Sequence, residues 1–143
     1  MYTAAVLRQE STKDLLLAMR SKTNLEEEGF ECVTPQGEPL PHHMTINLGK
    51  FDSILNDPQI LGQPCLLFID ALWFSKEIGA CAARVTRAYC DGKEINSINE
   101  NKHVTICLKP PAKPFHSNKI FENGECIKLD MDLSLLSDIQ EVQ

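Results

Sequence analysis

His43-Met44-Thr45-Ile46-Asn47-Leu48 and His103-Val104-Thr105-Ile106-Cys107-Leu108 share one pattern, His-apolar-Thr-Ile-x-Leu, repeated sixty residues apart. Polar and apolar residues alternate in both, which is the period of a half-buried β-strand. His43, Thr45 and Asn47 then face one way while Met44, Ile46 and Leu48 face the other, and His103 and Thr105 repeat the arrangement. Each strand presents an imidazole and a hydroxyl on one face and anchors itself through the opposite one. A single His-x-Thr on a strand usually marks a histidine bonded to a neighbour. Two copies with matched apolar flanks, each preceded by a turn-like segment, point instead to paired function.

Working outward, Thr34 to Pro41 is rich in Pro and Gly and reads as a loop delivering the chain to His43. Before it, Tyr2 to Leu7 is strand-like, and Ser11-Thr12-Lys13-Asp14 resembles a capping box feeding a helix whose buried stripe is Leu15, Leu16 and Met19. Between the two motifs, Cys65 to Phe74 is an apolar run broken by Asp70. The turn Ser75-Lys76-Glu77 links it to a second run, Ile78 to Val85, as a hairpin. Asp91-Gly92 marks another turn. After the Pro-rich connector Lys109 to Pro114, Cys126 to Asp132 supplies a last strand before a polar tail.

The chain of 143 residues, 43 % hydrophobic, has room for one domain (1–143) with a real core. No stretch approaches the ~20 apolar residues that span a bilayer, and Met1 to Glu10 lacks the pattern of a signal peptide, so a cytoplasmic protein without membrane association is expected. The six cysteines form no C-x-x-C pair and read as reduced thiols, and neither they nor the carboxylates have metal-ligand spacing. A net charge of −6 argues against a broad grip on nucleic-acid backbones but allows a small anionic ligand held by a few placed groups.

Two imidazoles and two hydroxyls around one volume are the equipment for phosphodiester cleavage without a metal or cofactor. A neutral histidine removes a proton from the attacking oxygen, and a protonated one supplies a proton to the leaving oxygen. The hydroxyls of Thr45 and Thr105 hold non-bridging phosphate oxygens. At these residues the chain resembles the 2H phosphoesterase superfamily, named for paired His-x-Thr or His-x-Ser motifs. The resemblance implies a bilobal α+β fold with pseudo-twofold symmetry, antiparallel sheets around a central groove and helices outside. It also implies cleavage of a ribonucleotide phosphodiester or a 2',3'-cyclic phosphate with catalytic His43, His103, Thr45 and Thr105.

Tyr2-Thr3-Ala4-Ala5, the doubled His42-His43 and the single Trp73 look most like the phage anti-CBASS nucleases. That likeness implies a cyclic di- or trinucleotide substrate with 3'-5' bonds, evasion of host defence, and action in the host cytoplasm. DNA, which lacks the 2'-hydroxyl nucleophile, is then inert. The alternatives are an RNA-processing enzyme acting on 2',3'-cyclic phosphate ends or 2'-5' links, and a binder that sequesters a cyclic nucleotide without cutting it. Tyr2 and Trp73 are candidates for stacking a base, Trp73 equally for the core. A family carboxylate near the C-terminal end corresponds to Glu122 or Glu125. Strand alternation places His42 on the face opposite His43, in a structural or exposed role.

Overall fold

A computed structural model describes all residues, Met1–Gln143. The elements in chain order are β1 (Tyr2–Leu7), α1 (Gln9–Lys22), β2 (His43–Leu48), β3 (Pro64–Ser75), β4 (Ala80–Cys90), β5 (Lys93–Glu94), β6 (His103–Leu108), α2 (Ile120–Asn123) and β7 (Glu125–Val142), with short 3-10 turns at Pro58–Ile60 and Pro114–Lys119. Strands run in the order β3-β7-β1-β2-β6-β4, and the β3–β4 hairpin returns the order to its start, so six antiparallel strands close into a barrel. The short β5 pairs only with β4 and lies outside the ring.

This closure overturns the α+β, bilobal 2H architecture expected from the resemblance. The molecule is mostly β, with two helices of 14 and four residues, and it is one ring rather than two lobes flanking a groove. The reason lies in the long strands. β3 hydrogen-bonds to β4 on one side and β7 on the other, β4 continues to β6, and the Met44–Val104 pair joins β6 to β2, so the strands form one ring whose thinnest seam lies between β2 and β6. Register shifts at Thr3/Ala4, Ile69/Ala71 and Cys81/Ala82 supply the local bends that curl a sheet onto itself.

Alternation along the strands fills the ring with one large core. Ala5, Met44, Ile46, Leu67, Ile69, Val104, Ile106, Leu135 and Ile139 are fully buried in it, joined by Leu15 and Met19 of α1. A smaller cluster forms on the opposite face of β4, where the side chains of Ala80 and Ala82 are small enough for Ile120 of α2 and Leu40 to pack down. At Gly124, where α2 turns into β7, a Cβ would press into the carbonyl oxygens of Ile120 and Phe74, so only glycine permits this close approach.

Several local expectations change. The helix begins at Gln9 with Arg8 at its N-cap, and Ser11 is no cap: its buried Oγ accepts a hydrogen bond from the Leu136 backbone N–H at 2.7 Å. Leu15 and Met19 are buried, whereas Leu16 is partly so. The expected polar tail is strand, because β7 continues to Val142. Leu135, Ser137 and Ile139 alternate inward there, with the Ser137 hydroxyl satisfied by donating to the Cys65 carbonyl at 2.8 Å. All six cysteines are free; Cys65, Cys81, Cys90 and Cys107 are buried, Cys32 is half-buried and Cys126 exposed. No helix is long and apolar enough to cross a membrane.

Met44 faces the centre of the core from β2, directly opposite Val104 of β6. Met44→Ala is expected to lower stability by about 2–5 kcal/mol, the usual cost of an unfilled core cavity. Urea denaturation at neutral pH measures this.

Candidate active site

The two motifs lie on neighbouring antiparallel strands. β2 and β6 meet at one register pair, Met44 opposite Val104. The antiparallel sense then sets each histidine on the side of the other strand's threonine. With Met44, Ile46, Val104 and Ile106 turned into the core, His43, Thr45, His103 and Thr105 point outward from the barrel. All four line a single cavity of about 450 Å³. Its walls come from three loop segments: Thr34 to Leu40, Ile98-Asn99, and the 3-10 turn carrying Phe115 and Asn118. Past the single register pair, the Thr45 and Ile46 carbonyls accept from the Ser97 hydroxyl (2.7 Å) and the Ile98 backbone N–H (2.8 Å), which fastens the middle wall to β2.

Each reactive group has a defined partner. His43 Nε2 lies 3.2 Å from Thr45 Oγ1, and His43 Nδ1 lies 2.9 Å from His42 Nδ1. The Tyr2 ring leans on the His43 imidazole with centroids 4.7 Å apart. His103 Nδ1–H donates to the Asn101 carbonyl at 2.7 Å, which leaves Nε2 as its free nitrogen. The Phe121 ring backs His103 at 5.3 Å, and His103 is only 7 % exposed. Thr105 Oγ1 is 2.8 Å from the hydroxyl of the fully buried Ser117; when Ser117 donates, Thr105 keeps its own O–H for a ligand.

Burial sets the protonation states. Desolvation, reinforced by the neighbouring His42 and His103 imidazoles, pushes His43 down to about 4. Desolvation also lowers His103, opposed by its bond to the Asn101 carbonyl, which favours the charged ring. Both shifts favour the neutral imidazole in the free protein.

The residues singled out from sequence divide between the cavity and its surroundings. Tyr2 lines the cavity with the four motif side chains. Trp73 does not: it packs edge-on against Phe121, centroids 5.8 Å apart, beside the smaller core cluster. Glu125, at the start of β7, and Glu122, in α2, are both exposed and outside the cavity. The carboxylate on the cavity wall is Glu38, from the Pro- and Gly-containing loop. Lys76 is committed to Glu28 at 2.8 Å, and Lys102 lies off the cavity near Glu94. His42 does not take the face opposite His43 that alternation assigns it. β2 begins only at His43, so strand alternation does not reach His42, and its ring turns into the cavity beside His43.

The lining includes no lysine or arginine, and Met1, Leu48, Ile98 and Phe115, each at least half exposed, supply apolar surface. Such a surface offers stacking and apolar contact to flat rings above a floor of acid-base groups. In comparison with known proteins, no protein-family model and no curated protein matches the chain.

The depressed His43 gives stability a pH dependence of known sign. The unfolded imidazole takes a proton near ~6.5, the folded one only near about 4, so stability contributed by neutral His43 is complete above the first value and is lost as pH falls toward the second. That loss amounts to about 3 kcal/mol by pH 4. Urea midpoints measured between pH 7 and pH 4 should fall less steeply for His43→Asn than for the wild type.

Proposed function

We propose that this protein is a metal-independent phosphodiesterase that opens cyclic di- or trinucleotides of ribonucleotides by two-histidine chemistry, on a closed barrel in place of the 2H fold. The observation that carries this reading is the convergence of His43, Thr45, His103 and Thr105 on one cavity of about 450 Å³, within the size range of small-ligand sites. His43, the more strongly depressed imidazole, serves as base; His103, whose Nδ1–H bond to a carbonyl favours the imidazolium, serves as acid.

The 2'-hydroxyl adjacent to a 3'-5' phosphate gives its proton to His43 Nε2 and attacks phosphorus. The bond from phosphorus to the 5'-oxygen breaks as that oxygen takes a proton from His103 Nε2. The product is a linear chain ending in a 5'-hydroxyl and a 2',3'-cyclic phosphate, which the same pair opens with water once their proton roles are exchanged. The approaching phosphate anion raises the depressed His103 and so loads the acid. Thr45 and Thr105 donate to the non-bridging oxygens as charge builds there. Tyr2 and Phe115 provide flat surfaces for the bases.

A lining without lysine or arginine suits diesters with one charge per phosphate in a compact ring better than long RNA, which calls for a basic track. The reading places the enzyme in the cytoplasm, against cyclic nucleotide signals of the anti-phage kind.

The test is incubation with cyclic di- and trinucleotides, their deoxy analogues and an RNA with a 2',3'-cyclic phosphate end, all in EDTA. Ring opening is expected with the ribose rings only and should drop at least about a hundredfold in His43→Ala and in His103→Ala. Because both histidines are depressed, kcat/KM should be bell-shaped in pH with its maximum below ~6.5. Turnover of the RNA end alone would replace the substrate with RNA termini, and tight binding without cleavage would make the protein a nucleotide binder.

A further inference from the structure

Exactly one proton can occupy the 2.9 Å contact between His42 Nδ1 and His43 Nδ1, and which ring owns it decides what His43 can do. If His42 donates, the neutral His43 carries its own proton on Nε2, gives it to Thr45 Oγ1, and has no lone pair left on the cavity side. If His43 donates, its Nε2 is bare and can accept a proton from Thr45 or from a ligand hydroxyl. We propose that His42 is a positioning residue that accepts the Nδ1–H of His43 and thereby holds His43 in the tautomer with a free Nε2. This rests on the reading of His43 as the general base.

The local geometry holds the two rings at this contact. The His42 carbonyl accepts the Leu7 backbone N–H at 2.9 Å, which ties the residue to β1 just before β2 begins. The two rings meet edge-on, with planes at 82° and centroids 5.1 Å apart, so the contact runs between ring edges and no face is stacked. Tyr2 packs on His43 at 4.7 Å and further limits its rotation. The other titratable side chains around the cavity are Tyr2, Glu38 and His103, and none of them is hydrogen-bonded to His43 Nδ1. His42 is thus the one side chain hydrogen-bonded to His43 Nδ1, a part played in other acid-base sites by a carboxylate or a backbone carbonyl.

The experiment is nitrogen NMR of 15N-histidine-labelled protein at pH 7, which separates bare from protonated ring nitrogens without requiring turnover. In the wild type, His43 should show a protonated Nδ1 and a bare Nε2. His42→Ala should shift His43 toward the Nε2–H tautomer, whereas His42→Asn, whose side-chain oxygen can accept from Nδ1, should keep the wild-type pattern. On the substrate that the EDTA panel identifies, His42→Ala should lower kcat about tenfold or more at little changed KM, with His42→Asn recovering most of it.

A wild-type His43 protonated at Nε2, or a His43 tautomer indifferent to His42→Ala, would overturn the proposal. Should His42→Ala fail to fold, His42→Leu, which likewise offers no acceptor to Nδ1, takes its place under the same criterion. The expected tautomer pattern in a protein that cleaves nothing would remove the phosphodiesterase reading while leaving the His42–His43 assignment standing.

Discussion

Met44 against Val104 is the contact on which the rest depends. The ring from β3 through β7, β1 and β2 returns to β6 and β4 only across this seam, and along it just one register pair is formed. The seam is held less by a ladder of backbone bonds than by the burial of Met44, Ile46, Val104 and Ile106 in the common core. Apolar burial at roughly 25 cal/mol per Å² makes four fully enclosed side chains a stronger tie than one or two ladder bonds. The same pairing, seen from outside, puts two imidazoles and two hydroxyls together. Antiparallel strands are related by a local twofold at the paired residues, so the repeat in the sequence becomes a local symmetry of the site without requiring two symmetric lobes.

Much of the local structure was legible because it rests on short-range rules. The two His-x-Thr strands, the hairpin around Ser75-Lys76-Glu77, the turn at Asp91-Gly92 and the Pro-rich loop all lie where alternation and turn chemistry put them. Barrel closure was not legible, since it depends on β7 pairing with β3 and β4 with β6, contacts between segments far apart in the chain that no local period encodes. The expectation of two lobes rests on the resemblance in the motifs, and those motifs specify two strands without specifying how the remaining strands close.

The site shows the same division. Alternation aligned His43 with Thr45 and His103 with Thr105, and the structure brings all four to one cavity together with Tyr2. It failed for His42 because the rule was applied one residue before the strand begins. Glu38 reaches the cavity because its loop returns over β2 in space only, which no local pattern marks, whereas Glu122 and Glu125, the two candidates by position in the chain, both lie outside the cavity. Trp73 shares its outward face with Ala82 and sits under Phe121, an outcome that an apolar strand context left undecided.

The floor of the cavity is sheet and its walls are loops. His43, Thr45, His103 and Thr105 stand on two strands whose reverse faces are locked in the core, so they have no hinge of their own, while the Thr34–Leu40 loop, Ile98-Asn99 and the turn bearing Phe115 form the sides of the cavity. Such a division lets inheritance act on the two separately. Exchange of wall segments can reshape the cavity while the floor, fixed by the core behind it, stays as it is.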